Sequence, residues 1–516
     1  MVFPLTRLPC PPPLPPTQKH PSSSSLRKSP PKEKEKEKEK EKEKDANVVV
    51  SRSSSIARLA RRGLLSSAAS AFSLMLSEEE PNHITILTLL SACADFPSSP
   101  SSLPLGLSLH ARLLKLPSTL PPARSHVALS TALVDMYAKN SLPSLARQLF
   151  DRIPHKNSFS FNTMLAGHMR NRQVPLALSL FQRMPLPLRD SISWTAIVDG
   201  LVKNGFLLEA LHQFQQMQTS AAPIQPDYVL LVALVSACAG LGALNQGMWF
   251  HRYSMARPEL SSSVRLVNSL IDMYSRCGRP DLAHQVFAGV QGGNRTRVTW
   301  NSMIVGFAVN GCSAEALRHF AMMEDAGFEP DGVSYTGALT ACSHAGLVEE
   351  GLRFYEIMRR DGKVVPRIEH YGCVVDLLAR AGRLEEAMGV VESMMLVMRP
   401  NNVVLGSLLA ACRVRGDVGL AEKLMGYMVD LEPESDSNYV LLSNIYASAG
   451  EWDGAGKVRG VMKSLGVRKR PGFSMVEIDG ALHEFVAGDR GHLQTGSIYD
   501  MLKLMCSDMK LQEEVG

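Results

Sequence analysis

From about residue 48 onward the chain alternates short apolar stretches with polar or glycine-containing breaks, and the apolar stretches repeat themselves. Leu133-Val-Asp-Met-Tyr137 returns as Leu270-Ile-Asp-Met-Tyr274 and more loosely as Val374-Val-Asp-Leu-Leu378. Ser91-Ala-Cys93 returns as Ser236-Ala-Cys238, Thr340-Ala-Cys342 and Ala410-Ala-Cys412. The separations lie near multiples of about 35 residues, the length of a two-helix repeat. A further pattern, an alanine with an aromatic residue four positions on and an apolar residue beyond it, occupies one helical face: Ala146, Phe150, Ile153; Ala177, Phe181, Met184; Ala210, Phe214, Met217; Ala316, Phe320, Met323. The small alanine admits a paired helix, and each pair leaves apolar surface that only the next repeat can cover. Gly205, Gly278, Gly311, Gly346 and Gly382 fall between the two helices of a unit, where a left-handed turn residue is required.

Composition permits this array without demanding it. A chain of 516 residues exceeds what one core organises, and 45% hydrophobic against 20% charged residues supplies ample material to bury. The net charge of +5 is mild, so an anionic partner must be argued from pattern. Nine scattered cysteines contain no Cys-x-x-Cys pair, which argues against a disulfide framework and the usual structural zinc signatures; the recurring ones read as small core residues. The uncharged stretch Tyr228 to Phe250 contains Gly240 and Gly242, and reads as two buried helices around a turn rather than a membrane span. Before Glu33 there is no acidic residue but much Pro and Ser, with Arg7, Lys19, Arg27, Lys28 and Lys32, as in an organelle transit segment. The alternating Lys–Glu run from Lys32 to Lys44 has no apolar face and reads as a solvated spacer.

Periodicity of this kind is shared by tetratricopeptide arrays. Units such as Arg297-Val-Thr-Trp-Asn-Ser-Met-Ile through Gly327-Phe-Glu-Pro-Asp331 resemble the pentatricopeptide repeat family instead. Units ending in Pro-Asp alternate with Ser-Ala-Cys and Asp-Met-Tyr units, which resembles the PLS subclass of plant proteins. The resemblance implies an all-α fold, a right-handed superhelical solenoid of helix-turn-helix repeats. Its expected domains are a leader and spacer at 1–48, about ten repeats over 49–401, an E1-like motif at 402–436, an E2-like motif with a Pro-Gly box at 437–472, and an E+-like tail at 473–516. Gly406-Ser-Leu-Leu-Ala-Ala-Cys412 to Leu431-Glu-Pro433, Asn438-Tyr-Val-Leu-Leu-Ser-Asn-Ile-Tyr446 to Lys469-Arg-Pro-Gly472, Val486-Ala-Gly-Asp489 and His492-Leu-Gln-Thr495 carry the likeness. Leu405 and Met475 stand where the family usually has Trp, and Asn140-Ser141 replaces a common Cys-Gly.

In that family the fifth residue of the first helix and the last residue of the repeat face one RNA base. The resemblance implies the pairs Ser53 with Asn82, Thr131 with Asn157, Asn162 with Asp190, Thr195 with Asp227, Asn268 with Thr296, and Asn301 with Asp331. The chemistry is reasonable on its own terms. Uracil and guanine carry a ring N–H that an Asp carboxylate accepts, whereas adenine and cytosine carry a ring acceptor that an Asn amide donates to. A short Ser or Thr at the fifth position is associated in the family with purines and Asn with pyrimidines. With blanks at the units of Leu87, Val232, Thr336 and Gly372, the implied string is 5′-A-x-A-U-G-x-Y-U-x-x. Each Asn or Asp has the competing reading of a helix cap. Arg276, Arg380, Arg413 and Arg415 are candidate phosphate contacts or plain solvated surface.

A zinc cytidine deaminase needs His-x-Glu and Cys-x-x-Cys, and neither string occurs; no phosphate loop or nucleophile elbow occurs either. The likeness of the segments after Asn401 to the E extensions of plant RNA-editing factors implies a non-enzymatic site-recognition factor for C-to-U editing of chloroplast transcripts, with mitochondria as the alternative compartment. It has no catalytic or metal residue and no cofactor. Its expected partners are single-stranded organellar RNA, a DYW-type deaminase acting in trans and other editing-complex proteins, with no membrane and no small-molecule substrate. The alternatives are an RNA stabilisation or processing factor and a protein-binding helical scaffold.

Overall fold

The computed structural model describes residues 52–515 apart from 79–80, 116–122, 220–223, 291, 361, 433–434, 470–471, 479–480 and 489. The expected leader and the Lys–Glu spacer lie outside the described residues. Two compact units divide at Ala237 and Cys238. In the first, the hairpins Ala123–Lys139 with Pro143–Asp151, Ser158–Arg170 with Val174–Arg183, and Ser191–Lys203 with Leu207–Thr219 follow one another, each first helix packing on the next first helix. The second unit repeats the plan from Val264–Arg276 with Pro280–Gly289 to Asp436–Ser448 with Trp452–Ser464. These are the two-helix repeats of the sequence period. A short antiparallel hairpin follows, β1 (Phe473–Ile478) and β2 (Ala481–Val486), paired from Phe473 opposite Val486 to Ile478 opposite Ala481. A helix over Thr495–Val515 succeeds it.

The alanine and aromatic positions pack as their spacing predicts. Ala146, Ala177, Ala210 and Ala316 are fully buried. At several junctions the second-helix aromatic meets an aromatic on the first helix of the following repeat: Phe150 and Phe161 at 5.3 Å between ring centroids, Phe181 and Trp194 at 4.7 Å, Phe287 and Trp300 at 4.9 Å. Tyr355 and Tyr371 continue the series at 6.0 Å. These edge-to-face contacts bind repeat to repeat, and the partner in each case is the residue immediately before a fifth-position residue. Cys93, Cys342 and Cys412 are buried, each on a first helix, and burial pushes the Cys93 and Cys342 thiols up to about 12 and that of Cys412 to about 11. They stay protonated and act as small packing groups.

Four of the first helices end on an asparagine that ties repeats together. The Asn310 amide donates to its own helix at Gly306 O (2.7 Å) and to Ser275 O of the preceding first helix (2.8 Å). Asn171 does the same with Gly167 and Ala138, and Asn204 with Gly200 and Met169. Asn140 fills this slot with bonds to Met136 O and Cys93 O, so the replacement of Cys-Gly keeps the clamp, while Ser141 takes the left-handed turn at φ 62°. The close approach also demands glycine: a Cβ at Gly200 would collide with Met169, and one at Gly306 with Ser275. Asn310→Ala removes both clamp bonds and strands part-buried carbonyls, so denaturant unfolding should register a loss of about 1–3 kcal/mol.

Tyr228 to Phe250 resolves into Tyr228–Leu241 and the start of Leu244–Met255, with Gly242 turning between them at φ 66°. No helix among the described residues is long and apolar enough to cross a membrane.

Candidate nucleic-acid interface

The last residue of a repeat is also the N-cap of the next first helix. Asn82 Oδ1 accepts from the Thr85 amide (2.8 Å), Asn157 Oδ1 from Ser160 (2.9 Å), and Asp190 Oδ1 from Ser193 (2.8 Å). Asp227 Oδ1 accepts from Leu230 (2.8 Å), Asp331 Oδ1 from Val333 and Ser334, and Thr296 Oγ1 from Thr299 (3.3 Å). Capping and base reading therefore do not compete, because the cap consumes one end of the side chain and orients the other. With Oδ1 turned to the helix, Asn82 and Asn157 point an NH₂ donor away from it. Asp190, Asp227 and Asp331 keep Oδ2 as an acceptor.

At two pairs the fifth residue is locked to the cap. Asn162 Nδ2 donates to Asp190 Oδ1 at 3.1 Å, and Asn301 Nδ2 to Asp331 Oδ1 at 2.9 Å. A hydroxyl completes each cluster: Ser193 Oγ donates to Asn162 Oδ1 at 2.7 Å, and Ser334 Oγ to Asn301 Oδ1 at 2.6 Å. Because a carboxylate only accepts, the amide nitrogen must face the Asp and the amide oxygen the Ser. Burial alone would raise the Asp190 carboxyl, but hydrogen bonds from the Ser193 backbone amide and the Asn162 side-chain amide help to outweigh it, and the group lies below its usual value. Ser53 is joined to its cap through Thr85, whose hydroxyl lies 2.9 Å from both Ser53 Oγ and Asn82 Oδ1.

The other three pairs are not locked. Thr131 Oγ1, Thr195 Oγ1 and Asn268 Oδ1 are buried atoms without a partner among the described residues. The helix carrying Thr131 begins at Ala123, so Thr131 lies two turns in rather than at the fifth position, since the segment from Ala123 to Val127 extends the helix backward. Thr296 caps Arg297–Val309, with the short 3₁₀ turn Gly292–Asn294 before it. Of the blank units, Thr336 and Gly372 line one open cavity with Thr340, Cys373 and Asp376. Among the basic candidates, Arg276 pairs with Asp272 (3.0 Å) and Arg380 with Asp376 (2.8 Å) four residues back, exposed pairs that a phosphate could displace at little cost. Arg413 and Arg415 are exposed.

One row escaped the sequence reading. The second residue of many first helices is a large apolar side chain left in water: Ile84, Phe159, Ile192, Val298, Val333 and Val403, each more than half exposed. Apolar groups at that register beside five of the pairs offer a surface for a flat ring. The available signal was an apolar residue in the polar first turn of helix after helix. No group of three or more His, Cys, Asp or Glu among the described residues could hold a metal.

Comparisons with known proteins agree with this architecture. Residues 130–158, 159–186, 192–220, 266–290, 333–362 and 369–396 match the PPR repeat, 295–344 the PPR repeat family, and 416–477 the E motif. A chloroplastic pentatricopeptide repeat-containing protein of Arabidopsis thaliana is 49% identical over 469 residues, covering 90% of this chain and 91% of its own. A second chloroplastic Arabidopsis thaliana protein of that kind is 34% identical over 433 residues, 84% of this chain and 52% of its own. The chloroplast assignment agrees with both names. Among solved structures, PPR10, known also free from maize, in complex with an 18-nt psaJ RNA element aligns with a TM-score of 0.54 at 15% identity, over 81% of this chain and 69% of that one. That likeness shows the helical-repeat solenoid fold. With its repeats, its E motif and these relatives, the chain belongs to the pentatricopeptide repeat family, in the PLS-type group that carries an E motif.

Proposed function

We propose that this protein binds single-stranded chloroplast RNA sequence-specifically and acts without chemistry of its own, selecting sites for C-to-U editing by a deaminase supplied in trans. The observation that carries the reading is the row of capped side chains, in which Asp leaves an acceptor outward and Asn a donor. Those are the groups that separate a ring N–H from a ring acceptor. The exposed apolar row beside them would pack on base faces. The RNA complex of the structurally similar PPR10 supports the partner class, and the E motif at 416–477 supports an editing role over transcript protection, which needs no such extension.

In a plant lacking the protein, sequencing of organellar complementary DNA should show specific C-to-U sites lost, preceded by a match to 5′-A-x-A-U-G-x-Y-U-x-x. The full chain should restore them. A chain without residues 402–516 should still shift the RNA in a gel yet restore none, and editing by that shortened chain would contradict the proposal.

A further inference from the structure

We propose that Ser193 and Ser334 are positioning residues for base selection, each hydroxyl fixing the amide of the reader asparagine in the preceding repeat. The inference rests on the base-reading function proposed above and asks what makes two of its pairs selective. Asn162 and Asn301 are the only pair-forming asparagines whose amide oxygen receives a hydroxyl at 2.7 Å or less among the described residues. Both amides are buried, at 7% and 5% exposure, so an amide oxygen without that donor would have a strong reason to turn outward.

The geometry is the same in both clusters although they lie in different units of the chain. Each Ser hydroxyl has a single proton and a choice of acceptors. Ser334 Oγ is 2.6 Å from Asn301 Oδ1 and 3.2 Å from Asp331 Oδ1; Ser193 Oγ is 2.7 Å from Asn162 Oδ1 and 2.9 Å from Asp190 Oδ1. In both clusters the asparagine oxygen is the nearer acceptor, which assigns the proton to it. The locked cluster then presents a base with one free carboxylate oxygen, Asp Oδ2, and one remaining amide hydrogen on Asn Nδ2. Uracil answers that pattern with N3–H and a flanking carbonyl oxygen. Cytosine held in that same seat sets its N3 acceptor against Asp Oδ2 and its N4 donor against the Asn N–H, and an asparagine that swung its oxygen outward would offer N4 a partner. The serine holds that motion in check, so it contributes to discrimination without touching the RNA.

The same register supplies internal controls. Ser160 occupies the equivalent place after Thr131 but donates to Asn157 O at 2.8 Å, and Thr299 engages Thr296, so neither holds a reader. Thr85 and Thr299 also show that a threonine hydroxyl fits this position.

The test is equilibrium binding of the full chain to paired RNAs that differ only by U or C opposite Asn301–Asp331. Ser334→Ala should lower the U-to-C preference at that base by about three- to tenfold, leave selectivity opposite Asn162–Asp190 intact, and be rescued by Ser334→Thr. Ser193→Ala should do the converse, and Ser160→Ala should change neither ratio. If the wild type selects uridine while Ser334→Ala keeps the same ratio, or weakens both RNAs equally with every base affected alike, the positioning role is wrong. If the wild type itself shows no preference at either base, the base-reading function fails and this inference with it.

Discussion

Asp331→Asn should turn the base preferred opposite the Asn301–Asp331 pair from uridine to cytidine, moving the U-to-C binding ratio by about 10- to 100-fold, equivalent to about 1–3 kcal/mol. The size follows from how little else changes. An asparagine at this position can still cap the helix over Gly332–Ala345 through Oδ1, accepting from Val333 and Ser334 as the aspartate does. It can still accept from Asn301 Nδ2. The outward atom alone is exchanged, an acceptor oxygen for an NH₂ donor, so N3–H of uracil meets a donor and N3 of cytosine gains one. A gel-shift series with the full chain and RNAs varied at that base reads the ratio directly. An unmoved preference would mean that the pair faces a different base or none. Asp190→Asn provides an independent repeat of the experiment, because Asn162 and Ser193 enclose it in the same way.

The repeat period, the buried alanines and the aromatic residues that follow them were legible, because one helical face must be apolar wherever a repeat meets its neighbour. So was the turn at Gly242. The registers of Asn162, Asp190, Asn301 and Asp331 came from family resemblance, and their geometry could not have come from spacing. A one-dimensional pattern ranks cap and reader as alternatives, whereas in three dimensions one carboxylate oxygen caps the helix and leaves the other available to a base. The clamp made by Asn171, Asn204 and Asn310 was invisible for a related reason: its second acceptor lies on another helix, some 35 residues away in the chain for Asn204 and Asn310. The hairpin of β1 and β2 did have a signal. Alternating apolar residues on either side of Asp479-Gly480 are a hairpin pattern, which a reading dominated by helical repeats passed over.

Phe287→Ala should be the most damaging single change in the repeat array, with a cost of about 3–5 kcal/mol. Phe287 is 2% exposed, stands edge-on to Trp300 at 4.9 Å and to His319 at 5.6 Å, and carries the Arg295 guanidinium over its ring at 4.4 Å. Removing the ring opens a cavity between two repeats, where no other element can move in to fill it. Repeat arrays are held by nearest-neighbour interfaces, so the loss should be felt locally. Amide hydrogen exchange over Arg297–Val309 should accelerate by more than about a hundredfold, while Ser191–Lys203 in the other unit keeps its protection. Phe287→Leu, which retains most of the volume, should cost about 1.5 kcal/mol or less. Trp300 directly precedes Asn301, so loosening its seat should also erode the uridine preference opposite Asn301–Asp331 and leave that opposite Asn162–Asp190 unchanged. Unchanged exchange in Arg297–Val309 would show that Phe287 is not the residue that joins these repeats. Altered exchange with intact selectivity would separate the stability of the array from its reading of bases.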